Sequence, residues 1–170
     1  MTLDEFNALP PAKAESVLMD CCGCARWAAN VAAQRPFAGA DSLYATADTV
    51  WQNLDRADWL EAFSHHPQIG EKAAAGSASA RQWAAGEQSG ARAANEDVKT
   101  NLALGNLVYY EKFGFIYIVC ATGKSADEML AILDGRLQND AASELPIAAE
   151  QQRLITRIRL GKLLSSEPSR

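Results

Sequence analysis

Apolar residues recur along this chain at intervals of three and four, and those intervals set the elements. Leu43, Ala47, Val50 and Leu54 are spaced four, three and four residues apart, one face of an α-helix over Ser42 to Leu54. Val98, Leu102 and Tyr109 mark the inner face of the longest predicted helix, Asn95 to Phe113, with Gly105 inside it as a point of close packing and Gly114 ending it. Met129, Ile132, Leu133 and Leu137 form a further stripe, started by Ser125 with Glu128 three residues on, a capping box. Thr2 and Glu5 make the same signal before a short helix carrying Leu3, Phe6 and Leu9. Pro10 and Pro11 stop that helix, and Pro11 opens the next, which presents Val17, Leu18 and Cys21 to one side and runs to about Cys22. Shorter helices are predicted over Ala25 to Gln34, Asp58 to Ser64 (Trp59, Leu60 and Phe63 inward) and Ser79 to Gln88 (anchored by Trp83). The last helix, Ser143 to Leu164, has Ile147, Leu154, Ile155 and Ile158 inward, which leaves Arg153, Arg157 and Arg159 to be explained.

Two stretches break the periodicity. Phe115 to Cys120 has the composition of a buried strand, yet no second segment of similar character exists to pair with it. It is therefore expected as an extended segment between helices, with backbone groups left over for a ligand. Glu71 to Ala80 is small and polar and reads as a mobile connection. The expected architecture is all-α: a single domain over residues 1–170, of about eight helices with one buried extended segment.

Composition narrows the function. A content of 48% hydrophobic residues over 170 positions supplies a core without staples. The net charge of −5, with no concentration of Lys and Arg, argues against nucleic acid as a partner. No apolar run approaches the ~20 residues of a membrane span, the N-terminal MTLDEFNALP lacks the apolar core of a signal peptide, and Glu167-Pro168-Ser169-Arg170 is not a peroxisomal address. A cytoplasmic location is the expectation. Cys21, Cys22 and Cys24 crowd together and Cys120 sits in the apolar run, without the paired spacing or histidine partners of a zinc site. They read as buried thiols, and no metal is expected.

The only two histidines are adjacent, in His65-His66-Pro67-Gln68-Ile69-Gly70. Proline disfavours helical geometry at His66, which places an imidazole on a loop at a helix end, a position suited to proton transfer. Standing alone it reads first as an ordinary surface histidine, and only one of two adjacent rings is expected to act. Glu87-Gln88 follows 21 residues after His66. A carboxylate beside an imidazole orients it and favours its charged form, and an amide reads N–H and C=O groups; the same pair can also be two solvated helix positions. Arg159, in Ile158-Arg159-Leu160, can clamp a carboxylate or can lay its stem along apolar surface. Arg35, in Gln34-Arg35-Pro36-Phe37, is expected to fix its loop by pairing with a carboxylate.

Taken in order, these fragments form a larger pattern: Gln34-Arg35-Pro36-Phe37, His66-Pro67-Gln68-Ile69-Gly70, Glu87-Gln88-Ser89-Gly90, Phe113-Gly114-Phe115 with the apolar run after it, and Ile155-Thr156-Arg157-Ile158-Arg159-Leu160. In sequence and spacing the chain resembles the 2-oxo-4-hydroxy-4-carboxy-5-ureidoimidazoline (OHCU) decarboxylases of urate degradation from end to end. The resemblance implies an all-helical homodimer without metal or organic cofactor that takes a small-molecule substrate, OHCU, to (S)-allantoin. It implies His66 as catalytic proton donor, with Glu87 and Arg159 in the catalytic set. It further implies substrate contacts from Pro67, from Ala84, Ala85, Gly86, Glu87 and Gln88, and from Tyr117, Ile118, Val119, Cys120 and Ala121. Many relatives have serine where this chain has Ala84, so a hydroxyl contact is missing here or is replaced by water or backbone. Two other classes stay open on the residues alone: a metal-dependent hydrolase using His65, His66 and a carboxylate, and a non-catalytic helical interaction module.

Overall fold

In the computed structural model, which describes residues 1–69, 77–92 and 94–165, ten helices and no strand are found among the described residues. The architecture is all-α, as the periodicity predicts. Most of the connection expected over Glu71 to Ala80, and Gly70 before it, lie outside the described residues.

The chain divides into two compact units. The first comprises Met1–Ala62 together with the chain from Arg153 onward. It contains α1 (Leu3–Ala8), α2 (Pro11–Cys21), α3 (Ala25–Ala32), α4 (Ala40–Gln52), most of α5 (Arg56–Ser64) and the C-terminal part of α10 (Ala141–Ser165). Thr2 caps α1 as a full box: its Oγ1 accepts from the Glu5 amide at 3.1 Å, and its own amide donates to Glu5 Oε2 at 2.7 Å. Helix α4 starts two residues before the predicted Ser42, because Ser42 serves from inside the first turn and accepts from the Gly39 amide at 3.3 Å. Its buried stripe is Leu43, Ala47 and Trp51, with Trp51 where Val50 was expected.

Arg35 departs from its expected role. It donates to carbonyls, not to a carboxylate: Nη1 reaches Phe6 O and Leu9 O at 2.8 Å each and Asn7 O at 3.3 Å, while Nε reaches Ala32 O at 3.1 Å. The end of α1 leaves carbonyls without helical partners, and a cation is the natural donor for them. Arg153 and Arg157 are explained by Asp48, whose Oδ2 lies 2.9 and 3.1 Å from their Nη1 atoms; Arg157 also lies over the Tyr44 ring.

The second unit, Phe63–Gln152, contains α6 (Ala78–Glu87), α7 (Ser89–Arg92), α8 (Glu96–Phe113), α9 (Ala126–Arg136) and the N-terminal part of α10. Asn95 caps α8 through the Val98 amide at 2.9 Å, and Gly114, at φ 77°, ends it in the left-handed conformation that glycine tolerates. Val98, Leu102, Asn106, Tyr109 and Phe113 are its buried face. The close packing predicted at Gly105 is against α9: a Cβ there would lie 2.5 Å from Leu133 Cδ2. The Ser125–Glu128 capping box of α9 is present in both directions.

Helix α10 overturns one expectation. Ile147 is 37% exposed, and the buried face instead follows Glu144, Ala148, Gln152, Ile155, Thr156, Arg159, Leu160 and Leu163. Four of those eight side chains are polar or charged, so an apolar stripe could not reveal the face.

Candidate functional site

Most of the residues singled out in the sequence fall in the second unit, around one irregular segment. Residues 116–121 are neither helix nor strand, and Tyr117, Ile118, Val119, Cys120 and Ala121 are all buried. At its start, Phe115 packs on Phe63, with ring centroids 5.4 Å apart, and Phe63 lies in the last turn of α5 immediately before the histidines. The His66 amide donates to Phe63 O at 3.1 Å, which ties the loop to that ring. His65 is exposed and His66 half-buried. Pro67 is half-buried.

The other end of the segment meets the corner between α6 and α7. A Cβ on Gly90 would run into the Lys124 carbonyl oxygen, so only glycine allows α7 to lie against the turn that follows Ala121. Glu87 and Gln88 immediately precede this corner, and both are buried at 9% exposure, unusual for a carboxylate and an amide at a helix end. Ala84 is buried one turn earlier on the same face, Ala85 is half-buried, and Gly86 is exposed on the opposite side. The carboxylate and the amide, not Gly86, therefore carry the polar chemistry of this helix end.

The segment's backbone is fixed by side chains that the sequence did not single out. Arg136 Nη1 donates to Ile118 O at 2.5 Å, the Cys120 amide donates to Gln151 Oε1 at 3.0 Å, and Lys124 Nζ donates to Cys120 O at 2.8 Å. Arg136 is itself buried, with Nη2 2.5 Å from Glu144 Oε1 and its guanidinium over the rings of Tyr117 and Tyr109. Tyr109 donates its hydroxyl to Glu144, and Asn139 Nδ2 reaches Glu144 Oε2 at 2.7 Å. Burial pushes the Tyr109 and Tyr117 phenols well above the usual tyrosine range, so both stay neutral donors. The Tyr117 hydroxyl is committed to Met129 O at 3.1 Å, which leaves that residue only its backbone to offer a ligand. No short-range spacing in the sequence signals the Arg136–Glu144 pair.

Arg159 belongs to the first unit. It is buried, and its Nη1 lies 3.4 Å from Asp20 O. Cys22 shares that neighbourhood and is hydrogen-bonded by Thr156; burial pushes its thiol up to about 12. Burial likewise raises Cys24 to about 11, and its sulfur accepts from the Trp27 amide at the start of α3. All four cysteines are free thiols. Cys24, Asp58 and Glu61 hold donor atoms within 4.8 Å of one another, the one such grouping among the described residues, and it contains neither histidine. Asp58 already accepts from Arg26 at 2.8 Å and Glu61 from the Ala25 amide at 3.3 Å, so these donors hold the α3–α5 junction together.

Comparison with known proteins adds an independent finding. The family model described as OHCU decarboxylase matches residues 7–161. The uric acid degradation bifunctional protein TTL of Arabidopsis thaliana is 36% identical over 149 residues, which are 86% of this chain and 46% of that protein. The chain thus spans about half the length of that relative. The 2-oxo-4-hydroxy-4-carboxy-5-ureidoimidazoline decarboxylase of Haloferax volcanii is 25% identical over 142 residues, 83% of each chain. Among solved structures, one described as OHCU decarboxylase in the presence of (S)-allantoin is similar with a TM-score of 0.76 and 37% identity, covering 87% of this chain and 96% of that one.

Proposed function

The chain belongs to the OHCU decarboxylase family, and from that premise we propose that it decarboxylates OHCU to (S)-allantoin in urate degradation, with His66 as the proton donor. The observation that carries the reading is the extent of the family match: residues 7–161 take in every position assigned a role, from His66 to Arg159. The same extent supports treating residues 1–170 as one OHCU decarboxylase-like domain.

The chemistry needs little from the protein beyond placement. Breaking the bond to the carboxylate releases CO2 and leaves an electron pair, which the adjoining C=N unit of the substrate ring takes up. The substrate is its own electron sink, so no pyridoxal or thiamine is required. What remains is to hold the carboxylate out of the ring plane, stabilise developing charge, and deliver a proton to one face of the carbon that becomes the stereocentre. His66 delivers that proton, and Glu87 orients and charges its ring. Gln88 and the backbone of Tyr117 to Ala121 read the ring and ureido groups, with Pro67, Ala84 and Ala85 completing the contacts. Arg159 is assigned the substrate's anionic or carbonyl oxygen, on the resemblance and on its burial. Spontaneous decay gives racemic product, so stereocontrol is the gain. The test is to generate OHCU from urate and follow its decay by circular dichroism with and without the protein: acceleration with accumulation of (S)-allantoin supports the reading, and an unchanged decay ends it.

Two further parts of the reading concern setting. No described helix is long and apolar enough to cross a membrane, and four free thiols suit a reducing cytoplasm. A homodimer is supported by the outer face of α8, where Leu104, Leu107, Val108 and Tyr110 are each more than half exposed; a contiguous apolar stripe of that kind marks an interaction surface.

A further inference from the structure

We infer that Arg136, Gln151 and Lys124 are positioning residues for substrate: each fixes one peptide plane of the Ile118–Ala121 segment, and together they present the Val119 amide, the Val119 carbonyl and the Ala121 amide to a cyclic ureide edge.

In a trans peptide the carbonyl and the following N–H point in opposite directions, and the bonds of this segment are trans. Arg136 holds the Ile118 carbonyl, so the Val119 N–H points away from Arg136. Gln151 holds the Cys120 N–H, so the Val119 carbonyl points away from Gln151. Lys124 holds the Cys120 carbonyl, so the Ala121 N–H points away from Lys124. Three successive peptide planes are thereby set by three side chains from three places in the sequence.

The groups turned away are the informative ones. The Val119 N–H, Val119 carbonyl and Ala121 N–H make no hydrogen bond to any described residue, although Val119 and Ala121 are 4% and 5% exposed. Buried backbone groups without partners are costly and call for a ligand. In chain order they read donor, acceptor, donor. The complement is acceptor, donor, acceptor: the edge of a five-membered ring in which an N–H is flanked by two oxygen-bearing carbons.

This inference rests on the proposed decarboxylase reading and is tested on the full chain with OHCU as the probe. Arg136 is a poor place to begin, since its loss would strand Glu144. Lys124 and Gln151 are half-buried and tolerate exchange. Lys124→Met and Gln151→Leu should each raise KM about three- to tenfold, the size of one lost hydrogen bond to substrate, with kcat changed by less than about twofold, because the bond is made in ground and transition states alike. Lys124→Arg and Gln151→Glu, which keep a donor and an acceptor, should return KM to within about twofold of wild type. A merely structural role would lower the active fraction, and hence the apparent kcat, and leave KM in place. If wild type turns OHCU over while Lys124→Met and Gln151→Leu keep its KM, or lose only kcat, the inference is overturned and the decarboxylase reading stands. If wild type has no activity on OHCU, both fall.

Discussion

Replacing Arg136 by methionine should be the most destabilising single change in the second unit. The side chains of Arg136 and Glu144 are 8% and 0% exposed, and the guanidinium makes contacts of 2.5 and 2.6 Å with one Glu144 oxygen. Removing the cation leaves a fully buried carboxylate with only the Tyr109 hydroxyl and Asn139 for company. Breaking a buried pair from one side costs about 3–5 kcal/mol, a large part of the ~5–15 kcal/mol that holds a domain folded. The Arg136→Met/Glu144→Gln double variant should be more stable than the single, because no charge is stranded and the amide still accepts from Tyr109. Its residual loss, about 1–3 kcal/mol, is that of the orphaned Ile118 carbonyl. Urea unfolding at constant m-value gives each term. A loss below about 1 kcal/mol for Arg136→Met, or a double variant no more stable than the single, would refute this account of the core.

Other perturbations probe the remaining links. Gly90→Ala should lower kcat/KM by about tenfold or more and reduce the melting temperature, since its Cβ collides with the Lys124 carbonyl oxygen and a small misplacement of binding groups is expensive; wild-type kinetics would show that the contact yields freely. Glu87→Ala should lose ~10²–10⁴-fold in rate, the usual contribution of acid catalysis, and His65→Ala should lose little; equal effects would detach Glu87 from the histidine that precedes proline. The folded protein's Cys22 and Cys24 should resist iodoacetamide at pH 8, since burial holds them at about 12 and 11. Because those values lie above the unfolded thiol's, stability should be retained at neutral pH and fall as the pH rises through about 9 toward 12; rapid labelling of native protein would contradict this. Leu107→Glu should convert a dimer to a monomer in sedimentation, and an unchanged oligomer would remove α8 from the interface.

What the sequence disclosed, and what it withheld, divides by range. The Thr2–Glu5 and Ser125–Glu128 boxes, the Gly114 stop and the α8 stripe were readable because each is decided within a turn or two of helix. Gly105 was readable because a glycine inside a strong helix needs a reason, which Leu133 supplies. Ile147 was misplaced because the buried face of α10 carries Glu144, Gln152, Thr156 and Arg159, whose burial depends on partners no local pattern shows. Arg35 was given a carboxylate when the end of α1 offered carbonyls. At the site, motif order singled out His66 and Glu87, which lie on a loop and at a helix end. The side chains that hold that segment, Arg136, Gln151 and Lys124, come from separate elements and had no signature in the sequence.

The central claim is tested most directly by comparing wild type and His66→Ala on freshly generated OHCU, following both the rate of decay and the handedness of the allantoin formed. The account predicts that wild type accelerates decay and yields (S)-allantoin, while the folded variant decays at the spontaneous rate and drifts to racemic product. Full rate and full stereoselectivity in His66→Ala would contradict it.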